Sequence, residues 1–183
     1  YFHCAIFKIS PAAGSPGDIV EMLLRRADSR GIGVLLSVSW DMTRESPYRD
    51  RWAETQSILR ELYRLYGNHP SFAMCSLGNE HWGGAERMVE VIEKLRESDE
   101  RRLYSRGTCA LWAISRPGPQ DDYIIFGDVK SAEGESFQVR GANLMPWGHV
   151  QRAVANTLTD YRKGAEANGV PTISHEIGQY TVY

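Results

Sequence analysis

Apolar positions along this chain follow two alternating patterns, a helical stripe and a short, nearly continuous run, and their succession defines its elements. Between Asp18 and Gly31, Val20, Leu23, Leu24 and Ala27 share one helical face, and the segment closes on a glycine suited to the position just past a helix end. Trp52, Leu59, Leu62 and Tyr66 recur at helical spacings ahead of Gly67, and Met88, Val91, Ile92 and Leu95 do so farther on. A last stripe of Val150, Val154, Leu158, Tyr161 and Ala165 predicts a helix that stops near Gly169; Pro171 cannot continue it but can open a strand. Between the stripes lie six β-rich runs, at 2–9, 34–40, 71–77, 102–109, 122–129 and 172–177.

Strands that alternate with helices, and that are apolar almost throughout, imply a parallel sheet covered by helices, because parallel strands need crossover connections. Two α/β architectures compete. A doubly wound sheet would carry a glycine-rich phosphate turn after its first strand, and KISPAAGSPGD at 8–18 lacks that spacing. A (β/α)8 barrel is therefore expected, as a single domain over 1–183 with about six of its eight strands present.

That expectation gives meaning to two odd strand ends. SFAMCSLGNE, residues 71–80, is an apolar run ending on Asn79 and Glu80, and PTISHEIGQY, residues 171–180, carries Glu176 at the end of another. Glu is a poor turn former, so a turn does not account for it. In a barrel the C-terminal strand ends form the active-site face, where both acids would stand, together with Trp40 and Asp41 after the run at 34–40. Period-two counting places Ser76 and Gly78 on the side of Glu80, and Ser174 on the side of Glu176; such small residues would leave room for a pocket. Two facing carboxylates suit glycosidic cleavage, one protonating the leaving oxygen and the other attacking the anomeric carbon.

Composition narrows the partners. With 183 residues, 42% hydrophobic and 24% charged, the chain has the make-up of an ordinary globular domain. Its net charge of -2, without a long Lys/Arg run, argues against a nucleic acid or an anionic membrane as partner. Three cysteines, Cys4, Cys75 and Cys109, lie in strand-like runs without CxxC spacing, so buried free thiols are expected rather than disulfides or a zinc site. HEIGQ at 175–179 lacks the second histidine of a zinc protease motif, and His3, His81 and His149 show no ligand spacing; no metal or other cofactor is expected. No apolar stretch is long enough for a membrane span and no signal peptide is visible. Both ends of the chain read as cut from something longer, and export of such a parent is favoured over cytoplasmic residence.

YGNHPSFAMCSLGNEHW, residues 66–82, resembles the Asn-His-Pro-Ser…Gly-Asn-Glu signature of family 2 glycoside hydrolases, and VPTISHEIGQY, 170–180, is similar to that family's nucleophile strand. The two motifs occur in the family's order, 96 residues apart, and the resemblance covers about 66–183; residues 1–65 carry no signature of it. It implies a retaining hydrolase of β-galactosidase or β-glucuronidase type, with Glu80 as acid/base, Asn79 bonding the sugar 2-hydroxyl, Glu176 as nucleophile, and His175 as the residue often found before it. It also implies that the first and eighth strands are the missing ones, and that the rest of a barrel or accessory β-sandwich domains belong to the parent. In the retaining geometry the two carboxyl groups stand about 5 to 5.5 Å apart.

Around them, Trp82 and Trp147 fall in loops or after strand ends where an aromatic ring can stack on a pyranose, as can Trp40. Trp52 and Trp112 are expected in the core, and His69 is expected to make a structural hydrogen bond rather than act in catalysis. Substrate choice is assigned to the stretches 110–121 and 130–149, read as loops. The rival readings are an inverting or transglycosylating enzyme, a non-catalytic carbohydrate-binding barrel, and a fragment of a glycosidase with no activity of its own.

Overall fold

The computed structural model of the chain describes residues 6–9, 17–37, 52–78, 85–107, 117–126, 128–130, 136–138, 158, 160 and 162–175. In chain order these form β1 (Ile6–Ile9), α1 (Gly17–Asp28), β2 (Gly33–Ser37), α2 (Trp52–Tyr66), β3 (Phe72–Ser76), α3 (Ala85–Ser98) and β4 (Leu103–Ser105). There follow β5 (Ile124–Phe126), β6 (Asp128–Lys130), β7 (Ser136–Gln138), α4 (Arg162–Ala167) and β8 (Thr172–Ser174).

The first four strands form one sheet in the order β1-β2-β3-β4, every pair parallel. β5 and β8 pair in parallel as a second sheet, and β6 and β7 form an antiparallel pair. A strand therefore lies within each of the six apolar runs. The run at 122–129 is divided, since its first part pairs with β8 and its last residues turn to β7. Part of the stretch 130–149, expected as loop, thus belongs to a strand pair.

The helical stripes do what their spacing implies. Val20, Leu24 and Ala27 of α1, Leu59, Leu62 and Tyr66 of α2, and Met88, Val91 and Ile92 of α3 are buried in one cluster with Val34, Leu36, Phe72, Cys75, Leu77 and Tyr104 of the sheet. Leu23 sits on the flank of its stripe, 42% exposed. Cys75 is a buried free thiol whose pKa burial pushes up to about 12; Cys4 and Cys109 lie outside the described residues.

The other face of the sheet meets strands instead of these helices. Leu35 and Met74 pack with Tyr123 and Ile125, and Ala73 and Ile173 lie against them, so β2, β3, β5 and β8 share a second apolar cluster. The Tyr123 hydroxyl donates to the Cys75 carbonyl at 2.9 Å, and the Asp122 N–H donates to the Tyr104 carbonyl at 2.9 Å. These bonds tie the lead into β5 to β3 and β4.

A β-bulge sets the phase of β3. Val34 faces Phe72 but Leu35 faces Met74, which leaves Ala73 as the extra residue. Phe72 and Cys75 can then both point to the helices although they are three positions apart, and Met74 points to the inner cluster.

The glycine expected past the first helix is Gly31, at φ 64. The Ile32 N–H donates to the Ala27 carbonyl at 3.0 Å and the Gly31 N–H to the Asp28 carbonyl at 3.3 Å, the two bonds of a Schellman cap. A Cβ at this site would meet nothing within 4 Å, so the cost of a side chain there is backbone strain alone. Gly31→Ala is expected to lower stability by about 1 kcal/mol, and Gly31→Asn by less, in urea unfolding. Equal stability of the alanine variant and the wild type would refute the cap.

The last stripe is corrected. Leu158 is outside any helix and 86% exposed, and α4 begins only at Arg162. Just ahead of the helix, Asp160 Oδ1 accepts the Arg162 N–H at 3.0 Å, one of the N–H groups that a helix start leaves without an intrahelical partner. Val150, Val154 and Tyr161 lie outside the described residues.

Candidate active site at the strand ends

Four of the parallel strands, β2, β3, β4 and β8, end on serine. Ser37, Ser76 and Ser105 are Cα partners across β2, β3 and β4, forming one row. All three are buried, at 1%, 0% and 2% exposure. The Ser76 Oγ donates to the Gly78 carbonyl at 3.4 Å and the Ser105 Oγ to the Gly107 carbonyl at 3.3 Å. Both strands thus close with one device, Ser-x-Gly, in which the hydroxyl turns back on the backbone and stays satisfied inside the fold. The Leu77 N–H donates to the Ser105 carbonyl at 3.2 Å and carries the ladder one residue past the strand.

Gly78, buried and at φ 141, is the last described residue before Asn79 and Glu80. A side chain at that φ would be strained, so glycine here is a backbone requirement, and the chain leaves the β conformation directly ahead of the Asn-Glu pair. On the other strand of interest, the ladder stops at Ser174 and the chain bends at His175, which is buried at 2% exposure. Period-two counting from Ser174 therefore no longer fixes the direction of Glu176. Ile173 packs on the inner cluster, which makes His175 the residue that strict alternation would place on that side.

Of the expected catalytic and substrate-binding residues, His175 falls among those described. Trp40, Asp41, Asn79, Glu80, Trp82, Trp147 and Glu176 lie outside them, as does Trp112. What the structure does place is the ground on which they stand: β3 and β8 contribute to one apolar cluster, and the described chain stops one and two residues short of Glu176 and Glu80 respectively.

The stretch 110–121, assigned to substrate choice, ends in an anchor. Asp121 is buried, and its Oδ1 accepts the Arg106 N–H at 2.8 Å. Its Oδ2 accepts Arg106 Nε at 2.9 Å, Arg106 Nη2 at 2.6 Å and the Gly118 N–H at 2.9 Å. Residues 117–121 are thereby tied to the end of β4. Neither this ion pair nor the serine row was anticipated. The signal for the row was present in the repeated Ser-Leu-Gly and Ser-Arg-Gly at 76–78 and 105–107.

A groove of about 450 Å³ between α2 and α3 lies on the helix side of the sheet, lined by Leu59, Tyr63, Val91 and Leu95 with Arg60 and Lys94 at its rim. Among the described residues its lining holds no carboxylate. Among the described residues no cluster of His, Cys, Asp or Glu could hold a metal ion, and no helix is long and apolar enough to cross a membrane. No protein-family model, curated protein or solved structure matches the chain.

Proposed function

We propose that the chain forms the catalytic part of a retaining glycoside hydrolase built on a (β/α)8 barrel, with Glu176 as nucleophile and Glu80 as acid/base. One observation carries this reading. The Asn79-Glu80 and His175-Glu176 pairs each follow the C-terminal end of a parallel strand, and those two strands border a common apolar cluster. The strand order β1-β2-β3-β4, without the reversal that marks a doubly wound sheet, and the packing of β5 and β8 onto the inner face agree with a sheet curling toward closure.

In the proposed chemistry Glu176 attacks the anomeric carbon while Glu80 gives its proton to the departing oxygen; Glu80 then takes a proton from the water that releases the sugar. Asn79 would hold the 2-hydroxyl, and Trp40, Asp41, Trp82, Trp147 and His175 would frame the ring. No metal or cofactor takes part in these steps.

The test is stereochemical. A panel of chromogenic β- and α-glycosides is offered to the protein, and the first-formed anomer is followed by proton NMR. Retention is expected. Inversion would exclude a glycosyl-enzyme intermediate, and sugar binding without turnover of any glycoside would favour a carbohydrate-binding barrel.

A further inference from the structure

On the opposite side of β3 from its Asn-Glu end, the turn between α2 and β3 holds a histidine between two carboxylates. His69 Nδ1 lies 2.6 Å from Asp28 Oδ2, and its Nε2 lies 3.0 Å from Glu21 Oε2. Both acids come from α1, so one imidazole joins two points of that helix to the turn. Around it, Arg25 Nε donates to Glu21 Oε1 at 2.6 Å, the Ser71 N–H donates to Asp28 Oδ1 at 2.8 Å, and the Ser71 Oγ donates to the Leu24 carbonyl at 3.3 Å. The Tyr66 ring of α2 stands 6.4 Å from the imidazole, and Arg101 and Arg102 both donate to the Gly67 carbonyl two residues earlier. The His69 side chain is 13% exposed, against 24% for Asp28 and 34% for Glu21.

An ionised carboxylate only accepts hydrogen bonds, and a neutral imidazole has a single N–H. Two carboxylates at bonding distance from both ring nitrogens require a proton on each nitrogen. We propose that His69 is an imidazolium at neutral pH and acts as a pH-released latch that fastens α1 to the turn feeding β3. Loss of one proton would leave a lone pair facing a carboxylate, which is repulsive, and the turn would come away from the helix. The Ser71 carbonyl accepts the Val34 N–H at 2.6 Å, so release would loosen the start of the β2-β3 pairing as well.

The electrostatic environment agrees. Burial pulls the His69 pKa down, but the hydrogen bonds and charges of Asp28 and Glu21 outweigh it and raise the pKa above the ordinary 6.5. Burial raises the pKa of Asp28, but its bonds to Ser71 and His69 prevail and lower it; the His69 bond chiefly lowers that of Glu21. The signs then follow. A raised histidine contributes its stability fully below 6.5 and loses it as pH climbs through the folded value. The depressed acids contribute above their ordinary 3.8 and 4.5 and lose it as pH falls through their folded values. The latch is thus fully closed between about 4.5 and 6.5 and opens on the alkaline side as pH climbs through the folded value of His69.

Nitrogen-15 NMR of the intact protein tests this without any substitution. Bonded protons on both His69 nitrogens are expected at pH 7, and one bare nitrogen at that pH would overturn the proposal. Asp28→Asn and Glu21→Gln should each lower the His69 midpoint, and an unmoved midpoint in both would count equally against it. Should the variants fail to fold, amide exchange of the wild type decides. Protection of Ser71 and Phe72, whose N–H groups bond Asp28 and the His69 carbonyl, should fall by on the order of tenfold above the His69 midpoint, the scale of a charged hydrogen bond lost. Constant protection through that midpoint would exclude a latch.

Discussion

Replacing Glu176 with glycine is expected to abolish turnover of aryl glycosides, and added azide is expected to restore it with formation of an inverted glycosyl azide. The reasoning is geometric. Removing the carboxylate leaves a space on the face of the sugar from which attack occurs, and a small anion can enter that space and form the bond that the missing oxygen would have formed. Its product cannot be displaced a second time, so the configuration is inverted once and stays so. Glu80→Ala should behave differently. Loss of a general acid costs on the order of 10²- to 10⁴-fold. That penalty should shrink for a dinitrophenyl glycoside, whose leaving group needs no proton, and azide should then give a product of retained configuration. The pair of outcomes assigns the two roles separately. Rescue of neither variant, or the same azide product from both, would remove the assignment.

Arg102→Ala is expected to destabilise the fold by about 2 to 5 kcal/mol in urea unfolding, the scale of truncating a large buried side chain. Arg102 is 5% exposed and leads into β4. Its Nε lies 3.0 Å from Asp99 Oδ2, an ion pair without the alignment of a hydrogen bond, and its terminal nitrogens donate to the carbonyls of Phe72 and Gly67. The guanidinium also lies 4.1 Å from the Phe72 ring centroid and 5.6 Å from that of Tyr63. Truncation would take this donor from the Phe72 carbonyl, leave the Gly67 carbonyl and the Asp99 carboxylate to Arg101, and empty the space over both rings. Arg102→Lys should recover part of the loss, because it keeps a charge but not the fork of donors. A loss below about 1 kcal/mol for the alanine variant would place the guanidinium among ordinary surface pairs.

Asp99 adds an acid limb to the same site. Hydrogen bonds from Arg101, with the charge of Arg102 beside it, hold its carboxyl down at about 2 against the opposing effect of burial. Since the folded value lies below the ordinary 3.8, this contribution is complete above that pH and disappears as pH falls toward 2.

The elements that were legible in the sequence are those whose cause is local. Val20, Leu24 and Ala27, or Met88, Val91 and Ile92, repeat at helical spacing because a helix must bury one face, and the structure buries those residues. Gly31 was legible because a left-handed backbone favours one residue type. Leu158 departs from its stripe because apolar spacing says nothing about where a helix starts, and α4 starts only at Arg162. The β6-β7 pair escaped because its strands are three residues long and a glycine, Gly127, stands before them.

Long-range chemistry was the least accessible. Asp28 and Glu21 lie 41 and 48 positions from His69, and no spacing rule connects residues that meet only after the helix has docked. His69 was read as structural, which its partners fit, but neither partner could be named. Asp121 and Arg106 are 15 positions apart, and their pairing follows from no spacing rule either. For Glu80 and Glu176 the motif speaks about residue type and order, and the strand ends beside them supply the setting.

The extra residue in β3 bears on how such motifs should be trusted. Because Ala73 shifts the alternation of the strand after it, a relative lacking that single position would keep the letters Met-Cys while turning Cys75 away from the helices and Met74 toward them. Spelling and presentation can part company over one insertion, and a homologue could keep every letter of the strand while its side chains faced the wrong layer.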